Sequence, residues 1–265
     1  MPTATVNDWK IAYDTSGVGP PIVLVHGLLM DRTMFAPQVE MLKERYTVIT
    51  PDLRNHGESE SRAEDFTQWD MMEDHIALCA KLGIGKAVFG GVSQGGFQSL
   101  RAALKYPEIV AGLILIETQA GPEDPGTAPI YESMGDVVVE DGWNDFLLES
   151  ASAVMMAAQT SSELKNVWIQ RWRNLTEAHV SHTLRSVTRR DDITDRLGEI
   201  NAPALVIHGE QDAAISMERA QQLADGLPNL VEFVKLPDAG HSATVEDPEG
   251  VNLAVQRFLD KIYPA

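Results

Sequence analysis

Short apolar runs alternate with amphipathic stretches along most of the chain. The runs are continuous and rich in β-branched residues, which is typical of strands buried on both faces of a sheet. They occupy residues 21–25, 47–50, 87–89, 111–116, 204–208 and 230–234. The stretches between them repeat apolar residues at helical spacing. This alternation predicts an α/β fold with a mostly parallel, doubly wound sheet, preceded by a short hairpin in residues 4–13.

The alternation stops between residues 118 and 191. A Gly- and Pro-rich cluster at residues 121–126 opens this segment. Three helical patterns follow without a strand between them, at residues 143–158, 162–174 and 177–189. We therefore expect a core domain of residues 1–117 and 192–265, with residues 118–191 inserted as a helical cap. Because ligands of open α/β sheets bind at the carboxyl ends of the strands, the cap should cover that edge.

Charge and cysteine content narrow the class of protein. The 265 residues carry a net charge of -18, which disfavours nucleic acid and anionic membranes as partners. The single cysteine, Cys79, excludes an intramolecular disulfide and should be buried on a helical face, and no Cys/His cluster indicates a metal site. The N-terminus lacks a signal-peptide pattern and no apolar run approaches membrane-spanning length. We expect a cytoplasmic monomer or homodimer.

Residues Gly91 to Gly95 form a G-x-S-x-G pattern between an apolar run and an amphipathic stretch. In this context the pattern places a serine on a sharp turn at the end of a sheet, so Ser93 is the candidate nucleophile. Side chains in place of Gly91 and Gly95 should collide with neighbouring backbone. A free serine hydroxyl is a poor nucleophile, so the site also needs a base, an orienting acid and an oxyanion hole.

Two later loops supply the candidate acid and base. Asp212 follows the apolar run that ends at His208, and His241 follows the run that ends near Val234. Both therefore lie at the same sheet edge as Ser93, in a chain order that differs from those of trypsin-like and subtilisin-like enzymes. We expect His241 to act as the general base and Asp212 to fix its tautomer.

The oxyanion hole needs two backbone N–H groups directed at the developing negative charge. One is expected from Gln94, at the start of the helix that follows Ser93. The other is expected from Leu28, just after the first buried strand.

Five motifs together resemble those of the α/β-hydrolase superfamily, and the resemblance spans nearly the whole chain. They are the oxyanion loop at residues 26–28, a D-x-R-x-H-G-x-S loop at 52–59, the nucleophile elbow at 91–95, the acid loop at 208–212 and the base loop at 240–241. The resemblance implies a serine hydrolase with a helical cap and no cofactor, similar to small esterases and enol-lactonase-like enzymes. Gln94 and Asn55 depart mildly from the family pattern, and we expect the Gln94 side chain to pack beside its helix.

The resemblance also raises an alternative acid. Some relatives take the triad acid from the end of the strand that follows the nucleophile helix, a position that Glu117 occupies here. Asp212 lies in the better-formed motif and is preferred. Three further histidines, His26, His56 and His208, each lie near a glycine at a strand end, and we interpret them as loop-fixing residues bonded to backbone.

Specificity should depend on bulky residues of the cap. The pocket candidates are Trp143, Phe146, Met155, Met156, Trp168 and Trp172. Such residues, where they face Ser93, would form an apolar pocket, and no Arg or Lys cluster marks an anionic substrate. We expect small to medium neutral carboxylic esters as substrates, with lactones next.

Other activities share the same triad and stay open. They include hydrolysis of C–C bonds, cyanohydrin cleavage and cofactor-free peroxidation. A different class is a ligand receptor of this fold with slow or no turnover. Dehalogenases and epoxide hydrolases carry a carboxylate at the elbow, so Ser93 disfavours both.

Overall fold

The computed structural model describes residues 2–264, including every side chain in that range except those of residues 177–179. Its centre is one eight-stranded sheet with the order β1-β2-β4-β3-β5-β6-β7-β8. The strands are β1 Thr3–Val6, β2 Trp9–Ser16, β3 Pro21–Val25, β4 Thr47–Pro51, β5 Ala87–Val92, β6 Val110–Ile116, β7 Ala204–Gly209 and β8 Leu230–Leu236. Strands β3 to β8 are mutually parallel, while β2 is antiparallel to both neighbours. The predicted fold class is confirmed.

The N-terminal hairpin is closed by Asn7 and Asp8. Their φ angles are 47° and 67°, as a type I′ turn requires at both central positions. The turn sets the register in which Val6 faces Trp9, and it attaches β1 to the antiparallel edge of the sheet.

Helices cover both faces of the sheet, because each central strand is apolar on both sides. The helices are α1 Ala36–Leu42, α2 Gln68–Lys81, α3 Gln94–Lys105, α4 Ala128–Asp141, α5 Asp145–Met155, α6 Ser162–Trp172, α7 Glu177–Thr188, α8 Met217–Gly226, α9 Ala243–Glu246 and α10 Pro248–Ile262. Apolar residues of α1 and α10 pack on one face, and those of α2, α3 and α8 on the other. None of the helices formed by residues 2–264 is long and apolar enough to cross a membrane.

Cys79 lies on the face of α2 that packs against the sheet. It is 3% exposed, and burial raises the pKa of its thiol to about 12. The expectation of a buried structural thiol is confirmed.

The segment between β6 and β7, here called the insertion (residues 118–191), contains four helices, and the structure describes no strand in it. Sequence analysis predicted α5, α6 and α7 but missed α4. Helix α4 starts directly after the Gly- and Pro-rich cluster, has Pro129 in its first turn and contains Gly135. Proline and glycine at these positions made the helical pattern of α4 hard to recognise in the sequence, although Pro is well tolerated in the first turn of a helix. Gly135 lets α4 approach α7 closely, since a β-carbon there would lie 2.9 Å from Leu184 Cδ1.

Candidate active site

Ser93 occupies a strained turn between β5 and α3. Its φ and ψ are 53° and -115°, outside the regions that residues with a side chain favour. Surrounding bonds hold this geometry: the Ser93 N–H donates to the Ile116 carbonyl at 2.9 Å, and the Thr118 hydroxyl donates to the Ser93 carbonyl at 2.8 Å. The strain is therefore imposed by the adjacent strand β6 as well as by the turn.

Two glycines make this turn possible. A β-carbon at Gly91 or at Gly95 would overlap the carbonyl oxygen of Val25, at the end of β3. Backbone cannot move aside as a flexible side chain can, so both positions require glycine. The collision expected from the sequence is present in the structure.

Asp212 and His241 are brought together by the loops after β7 and β8. His241 Nδ1 lies 2.8 Å from Asp212 Oδ2. Asp212 Oδ1 accepts hydrogen bonds from the N–H groups of Ala214 and Ile215 at 2.8 and 2.9 Å. Burial would raise the pKa of Asp212, but the charge and hydrogen bond of His241 outweigh it and hold that pKa below its ordinary value. Asp212 is therefore a carboxylate that fixes the His241 ring, leaving Nε2 as its other nitrogen.

Glu117 lies beneath this pair, at the end of β6. Its side chain is fully buried, and both of its oxygens accept from the Gly209 N–H, at 2.9 and 3.1 Å. One ligating atom from each of Glu117, Asp212 and His241 fits within 4.8 Å of the others. Burial, followed by the negative charge of Asp212, raises the pKa of Glu117 well above its ordinary value. Glu117 therefore holds a proton more readily than an ordinary carboxyl, and Asp212 less readily.

His208 supplies independent geometric support for that proton. Its Nε2 lies 2.9 Å from the carbonyl oxygen of Ile215, which can only accept, so Nε2 carries the hydrogen. Its Nδ1 is buried and lies 3.2 Å from Glu117 Oε2. Burial lowers the pKa of His208, which favours a neutral ring. A neutral His208 beside a protonated Glu117 leaves Asp212 as the charged member of this cluster.

Glu117, Asp212 and His241 lie close enough together to satisfy the minimum geometry of a metal site. The donors named above already occupy their ligand atoms: His241 Nδ1 faces Asp212, and the backbone N–H groups of Gly209, Ala214 and Ile215 cover the carboxylate oxygens. The cluster is built as a hydrogen-bonded network rather than as a set of free ligands.

His26 and His56 fix loops, as the sequence indicated. His26 Nδ1 lies 2.8 Å from the Gly27 carbonyl, and its Nε2 accepts from the Leu53 N–H at 3.0 Å. His56 Nδ1 lies 2.8 Å from the Arg54 carbonyl. The Gln94 side chain is buried against His56, with its Nε2 3.3 Å from His56 Nε2, so it packs below the turn.

The two expected oxyanion donors come from segments near Ser93. Gln94 is the first residue of α3, so its N–H is one of those that have no acceptor within the helix. Leu28 follows β3 and lines the same cavity as Ser93. The positive end of the α3 dipole therefore lies at the serine.

A cavity of about 310 Å³ joins Ser93 and His241 to the insertion. Its walls are largely apolar and come from α4, α5 and α7 together with loops at the sheet edge. The lining residues are Leu28, Leu29, Ser93, Phe97, Glu123, Ile130, Tyr131, Met134, Phe146, Leu147, Ser150, Ala151, Val154, Met155, Leu184, Val187, Ala214, Ile215 and His241. The insertion therefore forms one wall of the space in front of Ser93.

The structure corrects part of the predicted pocket. Phe146 and Met155 line the cavity, whereas Trp143, Met156, Trp168 and Trp172 do not. The Trp172 indole N–H donates to the Leu29 carbonyl at 2.9 Å. The Arg171 guanidinium packs over the Trp168 ring, with Arg171 Cζ 4.5 Å from the ring centroid. Trp168 and Trp172 pack in the interior of the insertion and its contact with the core, which is a common use of bulky residues at helical spacing.

Sequence reasoning missed the contribution of α4 to the wall. Ile130, Tyr131 and Met134 all line the cavity. The four-residue spacing of Ile130 and Met134 is a helical signal. The Gly- and Pro-rich residues 121–126, which indicate a loop, obscure it.

These features define the protein as an α/β enzyme with its serine on a strand-to-helix turn. The chain matches the family model for the alpha/beta hydrolase fold over residues 20–248. A Mycobacterium tuberculosis protein provisionally named non-heme bromoperoxidase BpoC is 30% identical over an alignment of 264 residues that covers 96% of this chain and 98% of that protein. The chain therefore belongs to the α/β-hydrolase family.

Solved structures agree with this assignment. A thermophilic esterase from Thermogutta terrifontis, solved with malate bound, is 32% identical with a TM-score of 0.91, and 98% of each chain is covered. The enol-lactonase from Burkholderia xenovorans LB400 is 24% identical with a TM-score of 0.90, covering 97% of this chain and 99% of that one, and shows the same fold.

Replacing Gly95 by alanine should destabilise the protein by about 1–3 kcal/mol or more, because the new methyl group would overlap backbone of β3. Gly85→Ala is the matched control, since a β-carbon at Gly85 meets nothing within 4 Å. Urea unfolding of both variants measures the difference. Equal stability of the two variants would contradict the close approach of α3 to β3.

Replacing Glu117 by glutamine should remove a pH dependence of stability. A carboxyl whose pKa is raised by folding stabilises most below its unfolded pKa, and this contribution is lost as pH rises towards the folded pKa. The wild type should therefore lose free energy of unfolding relative to Glu117→Gln as pH rises above the ordinary carboxyl value of 4.5, by at most about 1.4 kcal/mol per pH unit.

Urea unfolding across pH 5 to 8 measures this slope. Glu149→Gln is the control, because Glu149 is exposed and should behave as the wild type does. A constant difference between the wild type and Glu117→Gln over that range would mean that Glu117 is ionised in the folded protein.

Proposed function

We propose that the protein hydrolyses carboxylic esters through an acyl-enzyme intermediate, with Ser93, His241 and Asp212 as its catalytic triad. The observation that carries the proposal is that a strained serine and a His–Asp pair 2.8 Å apart open onto one apolar cavity. The similarity to an esterase at 32% identity supports the choice of reaction.

The proposed chemistry begins with attack of Ser93 Oγ on the ester carbonyl carbon. His241 Nε2 takes the serine proton and then gives it to the departing alkoxide, so an alcohol leaves and an acyl-serine remains. Water then attacks the acyl carbon, with His241 again taking a proton, and the acid is released as Ser93 recovers its hydrogen. Asp212 keeps His241 Nδ1 protonated and stabilises the imidazolium that forms in each half-reaction.

The oxyanion of each tetrahedral intermediate is assigned to the N–H groups of Leu28 and Gln94. Backbone donors fixed by β3 and by the start of α3 need no reorganisation when charge develops. The position of Gln94 supports this assignment, because it directly follows Ser93 and begins α3.

The substrates we propose are neutral esters of small to medium size. A cavity of about 310 Å³ with mostly apolar walls suits a short acyl chain or one aromatic ring. Lactones contain the same bond in cyclic form and would pass through the same steps, so they belong in the first substrate panel.

Ser93→Ala should abolish release of p-nitrophenol from acetate, butyrate and octanoate esters, because no other side chain takes the place of the nucleophile. We expect a fall in kcat of at least about 10⁴-fold. Ser150→Ala is the control, since Ser150 lines the same cavity but donates to the Phe146 carbonyl. Equal activity of Ser93→Ala and the wild type would overturn the triad, and equal inactivity on every ester and lactone would overturn the proposed reaction.

Asp212→Asn should reduce kcat by about 10³- to 10⁴-fold, because an amide cannot stabilise the His241 imidazolium or hold its tautomer. Glu117→Gln should retain most turnover, since its amide can still accept from the Gly209 N–H and donate where the protonated carboxyl does. Steady-state hydrolysis of p-nitrophenyl butyrate compares the two variants. The reverse ranking would reassign the triad acid to Glu117.

A further inference from the structure

The cavity wall contains a polar group that the proposed chemistry leaves unused. Tyr131 belongs to the first turns of α4, and its ring packs partly buried against the apolar core of the insertion. It lines the cavity together with Ser93 and His241. Its hydroxyl makes no hydrogen bond with any other residue that the structure describes.

The other polar residues of the wall are already committed. Glu123 accepts from Arg190 Nη1 at 2.8 Å and from the Thr127 hydroxyl at 2.9 Å. Ser150 donates to the Phe146 carbonyl at 2.8 Å. Ser93 and His241 serve the proposed reaction. Of the residues that line the cavity, Tyr131 therefore offers the side-chain donor that is free for a ligand.

The charges around Tyr131 show that its hydroxyl remains a donor. Burial, followed by the negative charges of Glu123 and Asp212, raises the pKa of Tyr131. The phenol is therefore neutral at ordinary pH.

A bound group without a hydrogen-bond acceptor would leave the Tyr131 hydroxyl unsatisfied, which costs binding free energy. A hydrocarbon chain filling the cavity displaces water from the Tyr131 hydroxyl and returns nothing, whereas an acceptor oxygen restores the hydrogen bond. A carboxylate on the substrate would meet the carboxylate of Glu123 in the same wall. The wall is thus suited to an uncharged group with an oxygen.

We propose that Tyr131 is a substrate-recognition residue, whose hydroxyl donates a hydrogen bond to a neutral ether or carbonyl oxygen in the acyl part of the ester. The inference rests on the proposed ester hydrolysis and narrows its substrates to neutral oxygen-containing acyl esters. The acyl part is the portion concerned, because it stays attached to Ser93 through both half-reactions while the alcohol departs after the first.

A matched substrate series tests this role. The p-nitrophenyl ester of hexanoate is compared with those of 3-oxahexanoate, 4-oxahexanoate and 5-oxahexanoate, in which one methylene is replaced by oxygen. The kcat/KM of each is measured for the wild type and for Tyr131→Phe, which keeps the ring and the cavity shape. Taking the ratio of the two proteins for each substrate cancels the intrinsic reactivity of that ester.

We expect the ratio of wild-type to Tyr131→Phe kcat/KM to be about 3- to 10-fold larger for at least one oxa-ester than for hexanoate, as one net hydrogen bond predicts. Tyr263→Phe is the control, because Tyr263 follows the last helix and does not line the cavity. It should show the wild-type ratios throughout. Thermal unfolding should be the same for Tyr131→Phe and the wild type, since the hydroxyl bonds to no described residue.

The outcomes separate this inference from the proposed function. Suppose that the wild type hydrolyses hexanoate, but that the ratio of wild-type to Tyr131→Phe kcat/KM for each of the three oxa-esters agrees within about twofold with the ratio for hexanoate. Tyr131 then does not recognise the acyl oxygen, and this inference is overturned while the proposed ester hydrolysis stands. If the wild type is no more active than Ser93→Ala on any of the four esters, both the inference and the proposed ester hydrolysis are overturned.

Discussion

The contact between the start of α3 and the end of β3 is the constraint on which the site depends. Only glycine fits at position 95, because the Val25 carbonyl oxygen lies where a β-carbon would be. Ser93, with a φ of 53°, directly precedes α3, and Leu28 follows β3, so this contact joins the two segments that carry the candidate nucleophile and the candidate oxyanion donors. The close packing of these two segments therefore requires glycine at position 95.

A second constraint is electrostatic. Two carboxyl groups, Glu117 and Asp212, share a buried region with His208 and His241, and two adjacent negative charges there would be costly. The two pKa values are shifted in opposite directions: that of Glu117 is raised, and that of Asp212, next to His241, is lowered. These shifts favour the negative charge on Asp212 over the acidic residue at the alternative position.

The sequence predicted the sheet, the elbow at Ser93 and the loops that carry Asp212 and His241, because those features follow from local patterns and from strand order. It failed where the direction of a side chain depends on how helices pack. Trp172 was expected in the pocket, but the Leu29 carbonyl binds its indole. Tyr131 was missed because the Gly- and Pro-rich residues before α4 obscured the helix that carries it.

The position of β7 and β8 at the end of the chain affects when the site can form during translation. The nucleophile turn follows β5, whereas Asp212 follows β7 and His241 follows β8, the edge strand that pairs with β7. Since synthesis runs from the N-terminus, Ser93 is made well before Asp212 and His241. A nascent chain that stops short of β8 lacks His241, so in the proposed chemistry it has the candidate nucleophile without its base.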